Sequence, residues 1–322
     1  MKIRHKYIRD AFIETIYRRM KKDGSIFFLC ADFGSPVLDK VRAEMSGNFI
    51  NVGIAEQNLI NVSVGLAMEG FSVYSYAIAP FLTMRAYEQI RNNMSLLAQT
   101  GVDVNVNLMG VGAGLSYDVS GPTHHCLEDI AIMRALPNIM VFSPCDTLTA
   151  EKFADYSVRI KKPKYIRIDG KPLPAVYTGS SDIKFEVGFS EIKKGRDICV
   201  VSTGYMTHRA LEAAAALESD GISAGVVDVF MLKSPDEGML CRALRKYRAV
   251  ISVEEGFAGK GGLDGLVSGV MRARGFCAPF DGMGFGDSYV FTVGSREYLH
   301  RISGLDTRSI VRRSKALLRR NK

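Results

Sequence analysis

The sequence predicts an α/β chain of two domains, each built on a parallel or mostly parallel sheet. Three observations carry this. Short apolar runs alternate with amphipathic stretches along almost the whole chain. The alternation breaks once, in the Pro-, Gly- and Ser-rich GKPLPAVYTGSSD (170–182), and then restarts. The length, 322 residues, suffices for two separate cores. The boundary is placed near residue 180, with domains at 1–178 and 190–322.

In the first domain, residues 6–22 read as an amphipathic helix because Phe12, Ile16 and Met20 recur at every fourth position. IFFLCAD (26–32) is a short apolar strand. A helix opens at Glu56 after another short strand, and FSVYSYAIA (71–79) is a strand. Pro80 suits the start of a helix running towards Ala98, since its fixed φ and missing N–H cost nothing there. DVNVNLMG (103–110), NIMVFSP (138–144) and KYIRI (164–168) supply further strands. In the second domain DICVVSTG (197–204), ISAGVVDV (222–229) and AVISVEE (249–255) are strands separated by helices, the first of them Ala-rich over 207–219. The basic C-terminal TRSIVRRSKALLRRNK reads as a solvated helix.

Composition narrows the classes. With 47% hydrophobic and 24% charged residues the chain is globular rather than disordered. No apolar run reaches the length of a membrane span, and the basic N-terminus is not followed by a signal-type apolar region, so a cytoplasmic protein is expected. The six cysteines show no CxxC and no metal spacing, and read as buried free thiols. The net charge of +8 is spread out with no nucleic-acid-binding motif; small anionic substrates or an acidic partner account for it. Gly110–Gly114 lacks the third glycine and the helix of a dinucleotide fingerprint, and reads instead as an active-site loop. Gly259-Lys260-Gly261 lacks the upstream glycine and following hydroxyl of a P-loop.

Three segments carry a specific signal by their order and spacing: NVGIAEQN (Asn51 to Asn58), APFLTMRAYEQIRN (Ala79 to Asn92) and GPTHH (Gly121 to His125). They resemble the transketolase group of thiamine-diphosphate enzymes, which includes deoxyxylulose-phosphate synthase, and the resemblance runs from Arg9 to the last helix. It implies a pyrimidine-binding fold followed by a transketolase C-terminal-like fold. Glu56 matches the glutamate that hydrogen-bonds N1′ of the cofactor's aminopyrimidine, a contact that lets the 4′ nitrogen take the proton of the thiazolium C2. Phe81 resembles the aromatic of the pyrimidine pocket, with Met84, Arg85 and Tyr87 as candidates for the same wall. Asp32 and Phe33 match a loop beside the cofactor, although Asp32 also suits a plain turn. His124 matches a histidine near the substrate carbonyl and hydroxyls, whereas His125 has a structural reading. Arg9 and Arg167 fall where the family holds a sugar phosphate, for which a guanidinium is suited.

The sequence also departs from the family. Ser120 stands where an aspartate often precedes GPTH, with Asp118 two residues earlier, and Gly112 stands where a further histidine is common. The GDG motif and following Asn pair that bind the diphosphate and Mg²⁺ are absent: Gly286-Asp287 continues as Ser288-Tyr289. The resemblance therefore implies a split transketolase in which this chain contributes the pyrimidine half, with no metal ligands of its own. A second subunit carrying GDG and NN would complete an α2β2 assembly. The β subunit of a 2-oxoacid dehydrogenase, a deoxyxylulose-phosphate-synthase-like enzyme and a degenerate regulatory partner are the competing expectations.

Overall fold

The computed structural model describes residues 7–179 and 183–319. The first six residues, the predicted boundary at 180–182 and the last three lie outside the described residues. The first sheet has strand order β2-β1-β3-β4-β6-β5 and is parallel throughout. Its strands are β1 (Ile26–Cys30), β2 (Phe49–Asn51), β3 (Ser72–Ile78), β4 (Val106–Val111), β5 (Met140–Phe142) and β6 (Lys164–Ile168). Successive residues of a strand face opposite sides, and here both sides are apolar. Leu29, Val73 and Leu108 enter one core with Leu59, Ile90 and Met133. Phe28, Tyr74 and Ile166 enter another with Phe12 and Phe153. Helices cover both faces, which is why the strands read as continuous apolar runs.

The second sheet, β11-β10-β8-β9-β7, is parallel except for β7 (Phe189–Lys193), which runs antiparallel to β9 (Ala224–Val229). The other strands are β8 (Ile198–Ser202), β10 (Ala249–Phe257) and β11 (Phe280–Phe285). Helices Met206–Ser219 and Thr307–Arg319 cover one face, and Glu237–Leu244 and Leu263–Ala273 the other. The C-terminal helix is not simply solvated. Ile310 and Leu317 are buried in the core, and Arg313 forks onto Asp281 of β11. Of the six cysteines, five are buried and free as expected, whereas Cys277 is exposed.

The predicted helix after Pro80 contains two π segments, Phe81–Arg85 and Ile90–Leu96. Such wide turns recur at functional sites, and this one follows β3 at the carboxyl edge of the sheet. The two domains are joined by backbone as well as side chains. Ser143 N–H donates to Phe230 O at 2.9 Å and Leu232 N–H to Val141 O at 2.8 Å, so the end of β5 pairs with the segment after β9.

Candidate active site

The predicted site residues gather where the parallel strands end, the edge at which open α/β sheets bind ligands. Asn51 closes β2, and Gly53, at φ 74°, turns the chain into the helix Glu56–Met68. Glu56 is the first residue of that helix, so its charge meets the positive end of the dipole. It is 3% exposed. Its Oε2 accepts a hydrogen bond from Arg85 Nη1 at 2.7 Å. The Arg85 guanidinium lies 4.9 Å from the Phe81 ring centroid, and Phe81 meets the His124 ring edge-to-face at 5.2 Å. Glu56, Arg85, Phe81 and His124 thus form one chain of contacts drawn from three separate segments: a helix start, a π segment and a loop.

The remaining candidates divide. Met84 is 40% exposed on the same π segment. Tyr87 stands outside the chain of contacts, because its hydroxyl donates to Ile132 O at 2.9 Å and packs against the helix Asp129–Ala135. Asp32 adopts φ 48° and exchanges two hydrogen bonds with Asn51, from its own N–H at 3.1 Å and from Asn51 Nδ2 at 3.0 Å. Asn51 Oδ1 also accepts from Gly53 N–H at 3.0 Å, which ties the Asp32 loop to the turn before Glu56. Phe33 stacks on Tyr76 at 5.2 Å. Ser120 is exposed at the end of the short 3-10 turn Asp118–Ser120. His125 is buried beneath it, within 3.4 Å of Asp118 O, and burial pushes its pKa down. Arg9 is paired with Asp10 at 2.8 Å and lies over the Tyr7 ring.

Arg167 departs from the expected phosphate contact. Its side chain is 2% exposed. Nε donates to Asp129 Oδ2 at 2.8 Å, and Nη2 donates to Cys126 O at 3.2 Å and Glu255 O at 2.8 Å. With Nε and Nη2 so engaged, the guanidinium fastens the first domain to β10 of the second, and only Nη1 is left without a protein partner among the described residues. A more exposed cation four residues further on is Lys171, whose side chain is 41% exposed and whose ammonium is held by the Asp118 carboxylate. Burial alone would raise the Asp118 pKa, but the donors Lys171, Arg296 N–H (2.7 Å) and Val119 N–H (3.0 Å) outweigh it and lower it.

Sequence reasoning also missed a buried charge cluster behind this loop. Arg296 Nε donates to Glu255 Oε1 at 2.7 Å, and Nη2 binds Glu255 Oε2. Nη1 lies 2.7 Å from Asp169 Oδ2, and His300 Nε2 lies 2.7 Å from Glu255 Oε1. The Arg296 guanidinium also sits 3.6 Å from the Tyr205 ring centroid. Gly114 belongs to this arrangement, because at φ 55° a Cβ there would lie 2.1 Å from Glu255 Oε2. No local motif marks these residues; only the pairing of two domains does.

A parallel sheet with a buried carboxylate, an aromatic and a histidine at its carboxyl edge, followed by a second, mostly parallel sheet, defines a two-domain α/β protein with a candidate site at that edge. The family profile described as transketolase, pyrimidine binding domain, matches residues 5–174, and that of the transketolase C-terminal domain matches 189–310. The chain belongs to the transketolase family. It is similar to a subunit of apulose-4-phosphate transketolase from Actinobacillus succinogenes, 34% identical over 83% of this chain and 84% of that one. It is also similar to a subunit of 6-deoxy-6-sulfo-D-fructose transketolase from Clostridium sp., 30% identical over 97% of this chain and 94% of that one. Among solved structures, a split-gene transketolase in the form of an inactive β4 tetramer superposes with a TM-score of 0.85. It is 32% identical, covering 99% of this chain and 100% of that one.

Proposed function

We propose that this chain is the β-type subunit of a split, cytoplasmic transketolase that moves a two-carbon ketol unit between sugars. Its thiamine-diphosphate site is completed by a separate subunit that carries GDG and NN and holds the diphosphate with Mg²⁺, in an α2β2 assembly. The observation that carries this is Glu56, a buried carboxylate with one oxygen engaged by Arg85, next to Phe81 and His124. A buried charge next to a flat aromatic suits a polar heterocycle such as an aminopyrimidine. The cofactor supplies, when bound, a carbon nucleophile and an electron sink for the ketose carbonyl carbon.

The chain's own residues do the rest. Glu56 holds a proton at the ring nitrogen N1′. Phe81 gives the heterocycle an apolar face and excludes water. His124, half-buried with Nδ1 3.1 Å from Thr123 Oγ1, donates to or accepts from the substrate carbonyl and hydroxyls. Lys171, steadied by Asp118, takes the terminal anion of the sugar in place of the enclosed Arg167. An anionic sugar agrees with the phosphate and sulfonate in the names of the two relatives.

Two experiments test this reading. The chain alone is expected to bind thiamine diphosphate weakly, even with Mg²⁺, and to lack ketol transfer; adding the GDG-bearing subunit should give Mg²⁺-dependent turnover. Calorimetry and a coupled ketol-transfer assay measure both, and tight binding with turnover by the chain alone overturns the split-site reading. Lys171→Met should raise KM for an anionic sugar roughly tenfold or more, the worth of one charge-assisted contact of about 1.5–3 kcal/mol. An unchanged KM would remove Lys171 from the substrate site.

A further inference from the structure

The two carboxylate oxygens of Glu56 are not equivalent. Oε2 accepts from Arg85 Nη1 at 2.7 Å, whereas Oε1 has no protein donor among the described residues and is not sealed off. The burial is equally lopsided: the Glu56 side chain is 4% exposed and that of Arg85 48%. Arg85 therefore reaches inward from the cleft to a carboxylate that water hardly touches. Its guanidinium is held from a second side by the Phe81 ring at 4.9 Å. A surface ion pair left to itself is worth only about 0–1 kcal/mol; a fixed guanidinium beside a half-engaged buried carboxylate does more, because it sets the carboxylate's orientation.

We propose that Arg85 is a positioning residue for Glu56, holding Oε2 so that Oε1 alone is offered to the ring nitrogen of the bound aminopyrimidine. This rests on the thiamine-diphosphate reading given above. Arg85 is then not part of the wall that packs on the heterocycle, and it need not touch the cofactor. Free rotation of the Glu56 carboxylate would misplace the acceptor by about an ångström, a displacement that costs on the order of 10²-fold when a reacting geometry depends on it. The positive charge matters as well as the contact, so a lysine should serve in part, although its ammonium lacks the planar face that rests on Phe81.

The test uses the chain assembled with the diphosphate-binding subunit, with thiamine diphosphate and Mg²⁺ as the probe. Two quantities are read for wild type, Arg85→Met and Arg85→Lys: the cofactor Kd by calorimetry, and hydrogen exchange at C2 per bound cofactor by NMR. Arg85→Met keeps an aliphatic stem over Phe81 and is expected to lower exchange roughly 10²-fold while Kd rises far less, with Arg85→Lys recovering at least about tenfold of the loss. Exchange at the wild-type rate in the Met variant, or a Lys variant no better than Met, overturns the proposal. If Arg85→Met does not fold, Arg85→Gln replaces it with the same expected loss. Failure of the wild-type assembly to bind the cofactor overturns the thiamine-diphosphate reading itself, and that arm is read independently of the variants.

Discussion

Glu56→Gln is expected to leave the fold intact while cutting C2 hydrogen exchange in the assembled enzyme by roughly 10²–10⁴-fold, the usual cost of losing acid–base assistance. Glutamine fills the same volume at the head of the helix Glu56–Met68, and its amide still hydrogen-bonds. It cannot pass a proton to or from a ring nitrogen as a carboxyl does. The structural penalty is small by comparison: a charge lost from a helix N-terminus is worth about 0.3–1 kcal/mol. Circular dichroism and thermal melting should therefore show a native-like protein, and Glu56→Ala should behave alike in exchange. Near-normal exchange in the Gln variant would take the catalytic role away from Glu56.

The second large effect is on stability. Arg296 is fully enclosed between Glu255, Asp169 and Tyr205. Arg296→Met leaves two buried carboxylates without their cation, which typically costs about 3–5 kcal/mol. Replacing Glu255 by Leu in the same chain should recover part of the loss, since an apolar pair is often as stable as a buried ionic one. The pH dependence has a definite sign. Burial by itself would raise the Glu255 pKa, but the Arg296 charge and the hydrogen bonds from Arg296 and His300 prevail and hold it far below the usual carboxylate range. A carboxylate depressed in the folded state contributes stability above its unfolded pKa of about 4.3 and loses that contribution as pH falls. Melting temperature against pH should thus drop steeply below about 4.3 for the wild type and less steeply for Arg296→Met. Parallel acid limbs for the two proteins would show that the cluster does not govern acid stability.

Much of the site was legible because its signals are local. GIAEQ marks a glycine turn into a helix, FLTMR is one helical turn and GPTHH lies within one loop, so the candidates Glu56, Phe81 and His124 are found from short segments. The fates of Arg167 and Arg296 are not local: both are settled by partners 38 residues or more away on another element. An arginine closing an apolar strand reads as a ligand until Asp129 and Glu255 are seen to enclose it. The same divide holds in the fold. The apolar strands were plain, but β7 (FSEIK) is half polar because it lies at an edge, and β11 (FDGMGF) hides behind glycines with low strand propensity. The helix Pro36–Glu44 carries an ordinary start signal, Ser35 capping Leu38 N–H with Pro36 behind it. That signal overlaps the loop ADFGSP, whose Asp32 reads as cofactor loop or turn, and the overlap hides the helix.

The π segment Phe81–Arg85 has a consequence for how this chain can vary. A π turn holds one residue more than the α turn it replaces, so the spacing that sets Arg85 against Glu56 and Phe81 against His124 depends on chain length as much as on residue type. Removing a single residue would regularise this turn and abolish the local widening from which Phe81 and Arg85 project. Substitutions at Met84 leave that geometry alone; insertions and deletions do not. Along this stretch the constrained quantity is the count of residues, and alignments that absorb a gap there would pair side chains that point in different directions.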